Sequence, residues 1–246
     1  MSDRTPASQT GHPAAPQGPV LVPLPRFWFL WMALLTAAVL ALGVTMQSVP
    51  SLSVADLSVD QTFSVNHSIP LTVLALILNV VFGPIAGALL VLGTSLFQLL
   101  VLRSRAKALL FALTAGWGWL ACQLLKVIIG RQRPDPGALV DALVPEPVSN
   151  SFPSGHTSLA VALAIGAYFM VHGTRWAKPT AWAGGILAIT VAWSRVYIGA
   201  HYPTDVFASF LATPAAILLF MWLWNRYASR LLARLPLQTC PPTKDQ

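Results

Sequence analysis

The chain has 246 residues and a formal net charge of +7; 55% of the residues are hydrophobic and only 9% are Asp, Glu, Lys or Arg. A soluble domain has about 25% charged residues, so these charges are too few to cover a water-soluble globule. The basic residues stand between long apolar runs, which indicates a polytopic membrane protein and argues against a nucleic-acid-binding one. Two cysteines are too few for a disulfide framework or a cysteine zinc site, so those classes are disfavoured as well.

The chain begins with a proline-rich segment. Residues 1–25 contain six prolines among Ala, Gln, Ser and Thr, which predicts a disordered cytoplasmic tail. The run Phe27–Met46 then gives about 20 apolar residues, enough for a first membrane span. Residues 53–55 imitate a signal-peptide cleavage site, but the apolar run is too long and begins too late for a signal peptide. Residues 48–68 are polar and Ser-rich.

The next apolar stretch, residues 69–102, is too long for one ordinary helix, since it would reach about 50 Å. Gly83-Pro84 interrupts it, and a proline inside a helix removes a hydrogen bond and clashes with the preceding turn. We expect a short interfacial or re-entrant helix over Ile69–Phe82 and a spanning helix over Ile85–Leu102. Further spans are predicted at residues 108–128, 158–172, 180–197 and 206–224. The predicted fold is therefore all-α, with six transmembrane helices in one domain over residues 26–230 and a short cytoplasmic tail over residues 231–246.

The basic residues predict the orientation in the membrane. With the N-terminus in the cytoplasm, alternation of the spans puts all but four of the 15 Lys and Arg residues on the inner face. Cytoplasmic loops carry such an excess of basic residues, so both termini are expected in the cytoplasm. The expected location is the plasma membrane. The four exceptions lie together at the outer ends of the spans: Lys126, Arg131, Arg133 and Arg195.

Three polar clusters meet at this outer level: Lys126–Pro134, Pro153–His156 and Ser194–Asp205. Taken alone, each has a simpler explanation: a lysine that snorkels to the headgroups, a helix cap, or a surface pair four residues apart. Those explanations fail together, because the alternation of the spans brings all three clusters to one side. The combination predicts a phosphate-binding site at headgroup depth.

The residue types in these clusters suit a phosphoryl group. Guanidinium groups make forked hydrogen bonds to phosphate oxygens, and an ammonium group adds a point charge. Ser154 and Gly155 open a predicted helix, whose unpaired N–H groups and positive end favour an anion, and a glycine lets the backbone approach closely. We therefore expect the phosphoryl group to be bound by Lys126, Arg133, Ser154, Gly155 and Arg195.

Two histidines and an aspartate suit the reaction itself. Asp205 lies one helical turn from His201 and can accept its Nδ1–H, which leaves Nε2 as a nucleophile. His156, beside the phosphate-binding turn, can protonate the leaving oxygen as a general acid. Imidazole has an ordinary pKa near 6.5, so one neutral and one protonated histidine are accessible together. No carboxylate pair or metal-ligand cluster accompanies these residues in the sequence, so we expect chemistry without a metal or another cofactor.

These stretches resemble the signature of the type 2 phosphatidic acid phosphatase (PAP2) superfamily, integral-membrane lipid phosphate phosphatases related to vanadium haloperoxidases. That signature reads K-x6-R-P, then P-S-G-H, then S-R-x5-H-x3-D, and every fixed position is filled here in order and with the correct spacing. The resemblance implies that His201 becomes a phosphohistidine, that Asp205 supports it and that His156 protonates the leaving group. It assigns the phosphoryl group to the same five binding residues.

The expected function is hydrolysis of a lipid phosphate or diphosphate at the outer membrane surface, with the lipid and the bilayer as partners. Undecaprenyl diphosphate, phosphatidylglycerol phosphate and phosphatidate all remain open as substrates. Arg131 lies outside the signature: it either reaches a second phosphate or headgroup, which would favour a diphosphate, or is an interfacial cation. Two alternatives use the same basic pocket, an anionic-lipid transporter or scramblase without turnover and a vanadate-dependent haloperoxidase, which six spans disfavour. The sequence does not indicate an oligomeric state.

Overall fold

The computed structural model describes residues 20–144 and 149–233, and within these ranges the chain is helical without β-strands. The all-α prediction is therefore confirmed. A short 3-10 turn at Pro136–Ala138 and an isolated backbone bridge between Gln132 and Asn150 lie in the connection before the sixth helix. In chain order the helices are α1 (Trp28–Ser48), α2 (Pro50–Ser64), α3 (Ile69–Val81), α4 (Pro84–Leu100), α5 (Arg105–Ile129), α6 (Gly155–Val171), α7 (Ala177–Tyr197) and α8 (Pro203–Ala233).

Three of the described helices, α1, α5 and α8, are long and apolar enough to cross a membrane. Helices α3 and α4 together make a fourth candidate that is bent by 66°. The break falls at Gly83-Pro84, as predicted, with Pro84 in the first turn of α4, where its missing N–H is harmless. Helix α6 is apolar but only 17 residues long. These lengths establish a helical membrane protein.

Helix α2 is an element that the sequence pattern did not predict. It begins at Pro50 and buries the side chains of Asp56, Asp60 and Ser64, which are spaced by four residues and so share one face. The opposite side exposes apolar residues such as Val54. The polar face is thus turned toward the protein, the reverse of the pattern by which surface helices are recognised.

The core lies around α6, which packs against α5, α7 and α8. Small residues allow close approach: a Cβ on Gly118 of α5 would lie 2.9 Å from the Cβ of Ala162 in α6. The packing brings the C-terminal ends of α5 and α7 and the N-terminal ends of α6 and α8 to one end of the bundle. The backbone N–H of Ser154 there donates to the carbonyl of Asp205 over 3.1 Å, which ties the starts of α6 and α8 together.

Both predicted tails fall mostly outside the described residues. Of the segment 1–25, the structure describes only the last six residues, and these lie against α8. Asn225 holds Val22 through two hydrogen bonds, from the Val22 N–H over 3.0 Å and to the Val22 carbonyl over 2.9 Å. At the other end, α8 continues to Ala233, past both the predicted end of its span at residue 224 and the predicted start of the tail at residue 231.

Candidate active site

His201 and Asp205 lie at the turn between α7 and α8. Gly199 makes the turn with a φ of 74°, a left-handed conformation that favours glycine, and a Cβ there would collide with Leu139. Asp205 belongs to the first turn of α8, where its Oδ2 accepts from the Tyr202 N–H over 3.1 Å. His201 Nδ1 lies 3.4 Å from the same Oδ2, and both side chains are buried. The helix start therefore sets the geometry of the pair.

The environment of His201 determines which ring nitrogen can react. With Nδ1–H directed at Asp205, Nε2 carries the lone pair, and Arg133 Nη1 lies 3.2 Å from it. Burial, and then the nearby charges of Arg133 and Lys126, hold the pKa of His201 well below its usual range. The ring is thus neutral near pH 7, and its nucleophilic atom faces a guanidinium group that suits a phosphate.

Lys126 and Arg133 are positioned by the end of α5. Gly130 ends the helix with a φ of 70°, which turns the chain back across the bundle. Lys126 Nζ donates to the carbonyls of Asn150 and Ser151 over 2.7 and 3.3 Å. Arg133 donates from Nη1 to the Ala200 carbonyl over 2.9 Å, beside His201. Lys126 is thereby fixed to the segment just before the second cluster, and Arg133 is fixed to the third cluster.

Ser154, Gly155 and His156 begin α6. Ser154 is the N-cap, and its Oγ accepts a long 3.5 Å hydrogen bond from the Thr157 N–H. A Cβ on Gly155 would lie 3.5 Å from Gln123 Nε2, so the first residue of α6 faces the side chain of Gln123 in the neighbouring α5. His156 places its Nε2 3.1 Å from the backbone carbonyl of Asn79 in α3.

These groups surround a cavity of about 630 Å³. Five of the eight predicted site residues line it: Lys126, Arg133, Gly155, His156 and His201. The other three, Ser154, Arg195 and Asp205, are fully buried behind its wall. Arg195 is in the last turn of α7, and its Nη1 donates to the side-chain oxygen of Asn79, which itself lines the cavity. Lys126 and Arg133 give the wall two cationic groups, which suit an anion.

Arg131 has neither of its two predicted roles. It is buried rather than interfacial, and it lies behind the His201–Asp205 pair instead of in the cavity. Its Nη1 donates to Asp205 Oδ1 over 2.8 Å, and its Nη2 donates to Asp56 Oδ2 over 2.8 Å. The guanidinium also lies 4.0 Å from the centre of the Tyr202 ring. The charge is thus neutralised by two carboxylates and cannot serve a second phosphate.

Helix α2 contributes Asp56 and Asp60 to what we call the rear cluster, whose other members are Arg131 and Thr204. Asp56 accepts from the N–H of Thr204 over 3.3 Å and from its hydroxyl, so it caps the start of α8 from another helix. Asp60 is also buried, and neither of its carboxyl oxygens has a hydrogen-bond partner among the described residues. Burial, reinforced by the charges of Asp56 and Asp205, raises the pKa of Asp60 to about 9 despite Arg131.

An apolar groove between α4 and α5 leaves the cavity toward the opposite end of the bundle. Pro84 and Trp119 line both the cavity and the first part of the groove, which has a volume of about 310 Å³. A second part of about 390 Å³ continues from it and shares Leu92 and Ala112. It ends at Arg105, the first residue of α5. The groove therefore connects the cationic cavity with the length of the membrane helices.

Known proteins are similar to this chain in sequence and in fold. Undecaprenyl-diphosphatase BcrC of Bacillus subtilis is 30% identical over 128 residues, which cover 52% of this chain and 62% of that relative. Phosphatidylglycerophosphatase B of the same organism is 34% identical over 127 residues, 50% of this chain and 59% of the relative. Less than two thirds of each relative's length is therefore matched.

A crystal structure described as the first transmembrane PAP2 type phosphatidylglycerolphosphate phosphatase from Bacillus subtilis superposes with a TM-score of 0.65. It covers 83% of this chain and 98% of the other, at 24% identity, which shows a shared fold. The sequence profile of the PAP2 superfamily matches residues 105–229, just over half of the chain and all three polar clusters. The chain belongs to the PAP2 superfamily.

Proposed function

We propose that this protein is a membrane lipid phosphatase that hydrolyses the phosphomonoester or diphosphate of a lipid through a phosphohistidine intermediate. The observation that carries the proposal is the environment of His201, with Nδ1 toward Asp205 and Nε2 toward Arg133 at the cavity wall. A buried neutral imidazole oriented by a carboxylate is an activated nucleophile, and the adjacent guanidinium places a phosphorus atom in front of it.

The reaction has two steps. Nε2 of His201 attacks the phosphorus, the bond to the lipid oxygen breaks, and His156 donates a proton to that oxygen. Water then attacks the phosphohistidine, His156 accepts its proton, and the bonding electrons return to Nε2 of His201. The charge of both transition states is stabilised by Lys126, Arg133, Arg195 and the start of α6 at Ser154 and Gly155.

A lipid is favoured as substrate because the α4–α5 groove begins at the cavity and offers an apolar path for its tail. The two Bacillus subtilis relatives are named for undecaprenyl diphosphate and phosphatidylglycerophosphate, so these substrates and phosphatidate form the set to test. Arg131 no longer favours a diphosphate, since it is bound to Asp56 and Asp205. The transporter alternative is not supported: both of these relatives are named as phosphatases, and transport assigns no role to the His201–Asp205 pair.

For the membrane topology we propose six spans formed by α1, α4, α5, α6, α7 and α8, with α3 as a re-entrant or interfacial helix. The support is the charge distribution, since all but four of the 15 basic residues then lie on the cytoplasmic side. Both termini are cytoplasmic in this arrangement, and the cavity opens to the outer face of the plasma membrane. Labelling of single cysteines placed in the α2–α3 and α4–α5 connections by a membrane-impermeant reagent tests it.

Purified protein in detergent, assayed with the three lipids side by side and with EDTA present, tests the activity. Phosphate release from at least one lipid, together with acid-labile radioactive phosphate trapped on the protein, is the expected result. Binding of the lipids without release of phosphate would contradict the proposal and favour a carrier.

A further inference from the structure

The break between α3 and α4 deprives the Asn79 backbone carbonyl of its helical donor. In an uninterrupted helix the carbonyl of Asn79 would accept from the N–H of residue 83. Here the Gly83 N–H donates to the Val80 carbonyl instead, over 3.2 Å, and Pro84 has no N–H to offer. The Asn79 carbonyl receives His156 Nε2 at 3.1 Å. The unpaired carbonyl at the end of α3 thus finds its hydrogen-bond donor in His156, the proposed general acid.

The side chain of the same residue holds a cation. Asn79 is the one amide in a helix that is otherwise aliphatic except for Pro70 and Thr72. Its Oδ1 accepts a hydrogen bond from Nη1 of Arg195, a residue that is fully buried. Such a bond to a charged donor is worth more than one between neutral groups, and it fixes the plane of the guanidinium. A single residue therefore contacts both the proposed acid and a proposed phosphate-binding cation.

We propose that Asn79 is a positioning residue for the phosphatase reaction, with its carbonyl orienting His156 and its side chain orienting Arg195. The inference rests on the proposed function. It explains why a proline break and a polar residue stand together in an apolar segment that faces the cavity. The bend of the α3–α4 pair is then part of the active site and not only a way to fit the chain into the membrane.

The contact assigns the hydrogens of the His156 ring. A carbonyl oxygen can only accept, so Nε2 of His156 is the protonated nitrogen in this hydrogen bond. The proton that passes to the leaving lipid oxygen therefore comes from Nδ1, as the oxygen takes the electron pair of the broken P–O bond. In the second step Nδ1 accepts the proton of the attacking water. The ring keeps its Nε2–H throughout, so the Asn79 carbonyl holds it in one orientation.

Two variants separate the two contacts. Asn79→Ala removes the acceptor for Arg195 but keeps the carbonyl. Gly83→Ala crowds the carbonyl, because its Cβ would lie 3.1 Å from the Asn79 oxygen, 3.2 Å from the Val80 oxygen and 3.8 Å from His156 Nε2. Thr72→Ala is the matched control: it removes a 3.0 Å hydrogen bond from α3 to the Tyr197 hydroxyl without touching either catalytic contact.

The readout compares phosphatidate with p-nitrophenyl phosphate, whose leaving group needs no proton donor. Asn79→Ala should lower kcat/KM about 10- to 100-fold with both substrates and weaken inhibition by vanadate, since a phosphate-binding cation is misplaced. Gly83→Ala should lower kcat at least about 10-fold with phosphatidate but much less with p-nitrophenyl phosphate, because the added methyl group lies against the acid and leaves the contact between Asn79 and Arg195 in place. Thr72→Ala should stay within about twofold of the parent protein with both.

The inference is overturned if Asn79→Ala and Gly83→Ala match the Thr72→Ala control, or if Gly83→Ala loses equal activity with both substrates. Thermal unfolding in detergent, measured for all three variants, shows whether a loss comes from a misfolded protein. Should the parent protein release no phosphate from any of the three lipids named above, the proposed function itself fails. The parent protein's own activity thus separates failure of the function from failure of the positioning role.

Discussion

The two sides of the His201–Asp205 pair differ in charge. The front, formed by the cavity wall, carries Lys126 and Arg133 and no carboxylate among the described residues. Behind it, in the rear cluster, one guanidinium is shared by Asp56 and Asp205, with the neutral Asp60 beside them. The front is thus built to attract and bind an anion, whereas the rear stabilises a buried carboxylate and fixes its direction. In the proposed reaction, His201 receives the phosphoryl group from the front, and Asp205, held by Arg131 of the rear cluster, orients its ring.

The largest effect is expected for His201, which lies between the front and the rear. His201→Ala removes the nucleophile and should lower phosphate release by about 10⁴-fold or more, since loss of a covalent nucleophile leaves only binding and electrostatic stabilisation. The phosphorylated intermediate should vanish, while vanadate should still bind the cations of the front. His172→Ala, at the far end of α6, is the matched histidine control and should release phosphate at the parent rate. Residual activity within tenfold of the parent would rule out His201 as the nucleophile.

Arg133→Gln tests the front alone. Loss of a guanidinium beside the reacting phosphorus should reduce kcat/KM by about 100- to 1,000-fold, as does removal of one preorganised donor in other enzymes. The midpoint of thermal unfolding should change little, because the side chain is only partly buried. Kinetics with several phosphate esters and unfolding in detergent measure the two quantities. A strongly destabilised Arg133→Gln protein would mean that the front is structural as well.

Arg131→Gln is the matched change in the rear, two residues away on the same connection. It leaves Asp56 and Asp205 buried without their cation, which in proteins destabilises by about 3 to 5 kcal/mol. Activity should fall along with stability, whereas the vanadate affinity of the folded fraction should fall less than in Arg133→Gln. Adding Asp56→Asn removes one uncompensated charge, so the double variant should unfold at a higher temperature than Arg131→Gln alone. If Arg131→Gln and Arg133→Gln change vanadate affinity and thermal stability to the same extent, the front and the rear do not have separate roles in binding and stability.

The sequence predicted the front far better than the rear. Signature spacings selected Lys126, Arg133 and His201, which line the cavity, because the chemistry of these residues can be recognised without knowing the packing. Asp56 and Arg131 act through other side chains, and their pairing depends on how α2 lies against α8. That helix escaped prediction because its buried face is polar, so the usual apolar stripe is missing; only the spacing of four between Asp56 and Asp60 was available as a signal. Span boundaries were predictable where proline or glycine interrupts the chain, as at Gly83-Pro84.

The cations of the front should also influence how kcat/KM depends on pH. Burial together with Arg133 and Lys126 lowers the pKa of His201 well below 6.5, so the neutral nucleophile persists as the pH falls through the ordinary imidazole range. The acid limb of kcat/KM due to His201 should therefore lie below pH 6.5. Arg133→Gln removes a positive neighbour and should move that limb upward, while Arg175→Gln on the far side of the bundle should leave it in place. A limb that rises in both variants, or in neither, would show that the front does not control this titration.

The smallest effect is expected for Asp60 in the rear. Its pKa rises from 3.8 in an exposed chain to about 9 in the folded protein, so between these values the folded state holds a proton that the unfolded state has lost. Its contribution to stability is therefore complete at low pH and is lost as the pH rises toward 9. Asp60→Asn imitates the neutral acid and should unfold at a higher temperature than the parent protein at pH 8, by about 2 to 4 °C for each kcal/mol gained. The gain should disappear near pH 4. An ionised Asp60 would give the opposite result, because Asp60→Asn would then remove a charge on which Arg131 depends and would lower the unfolding temperature at pH 8.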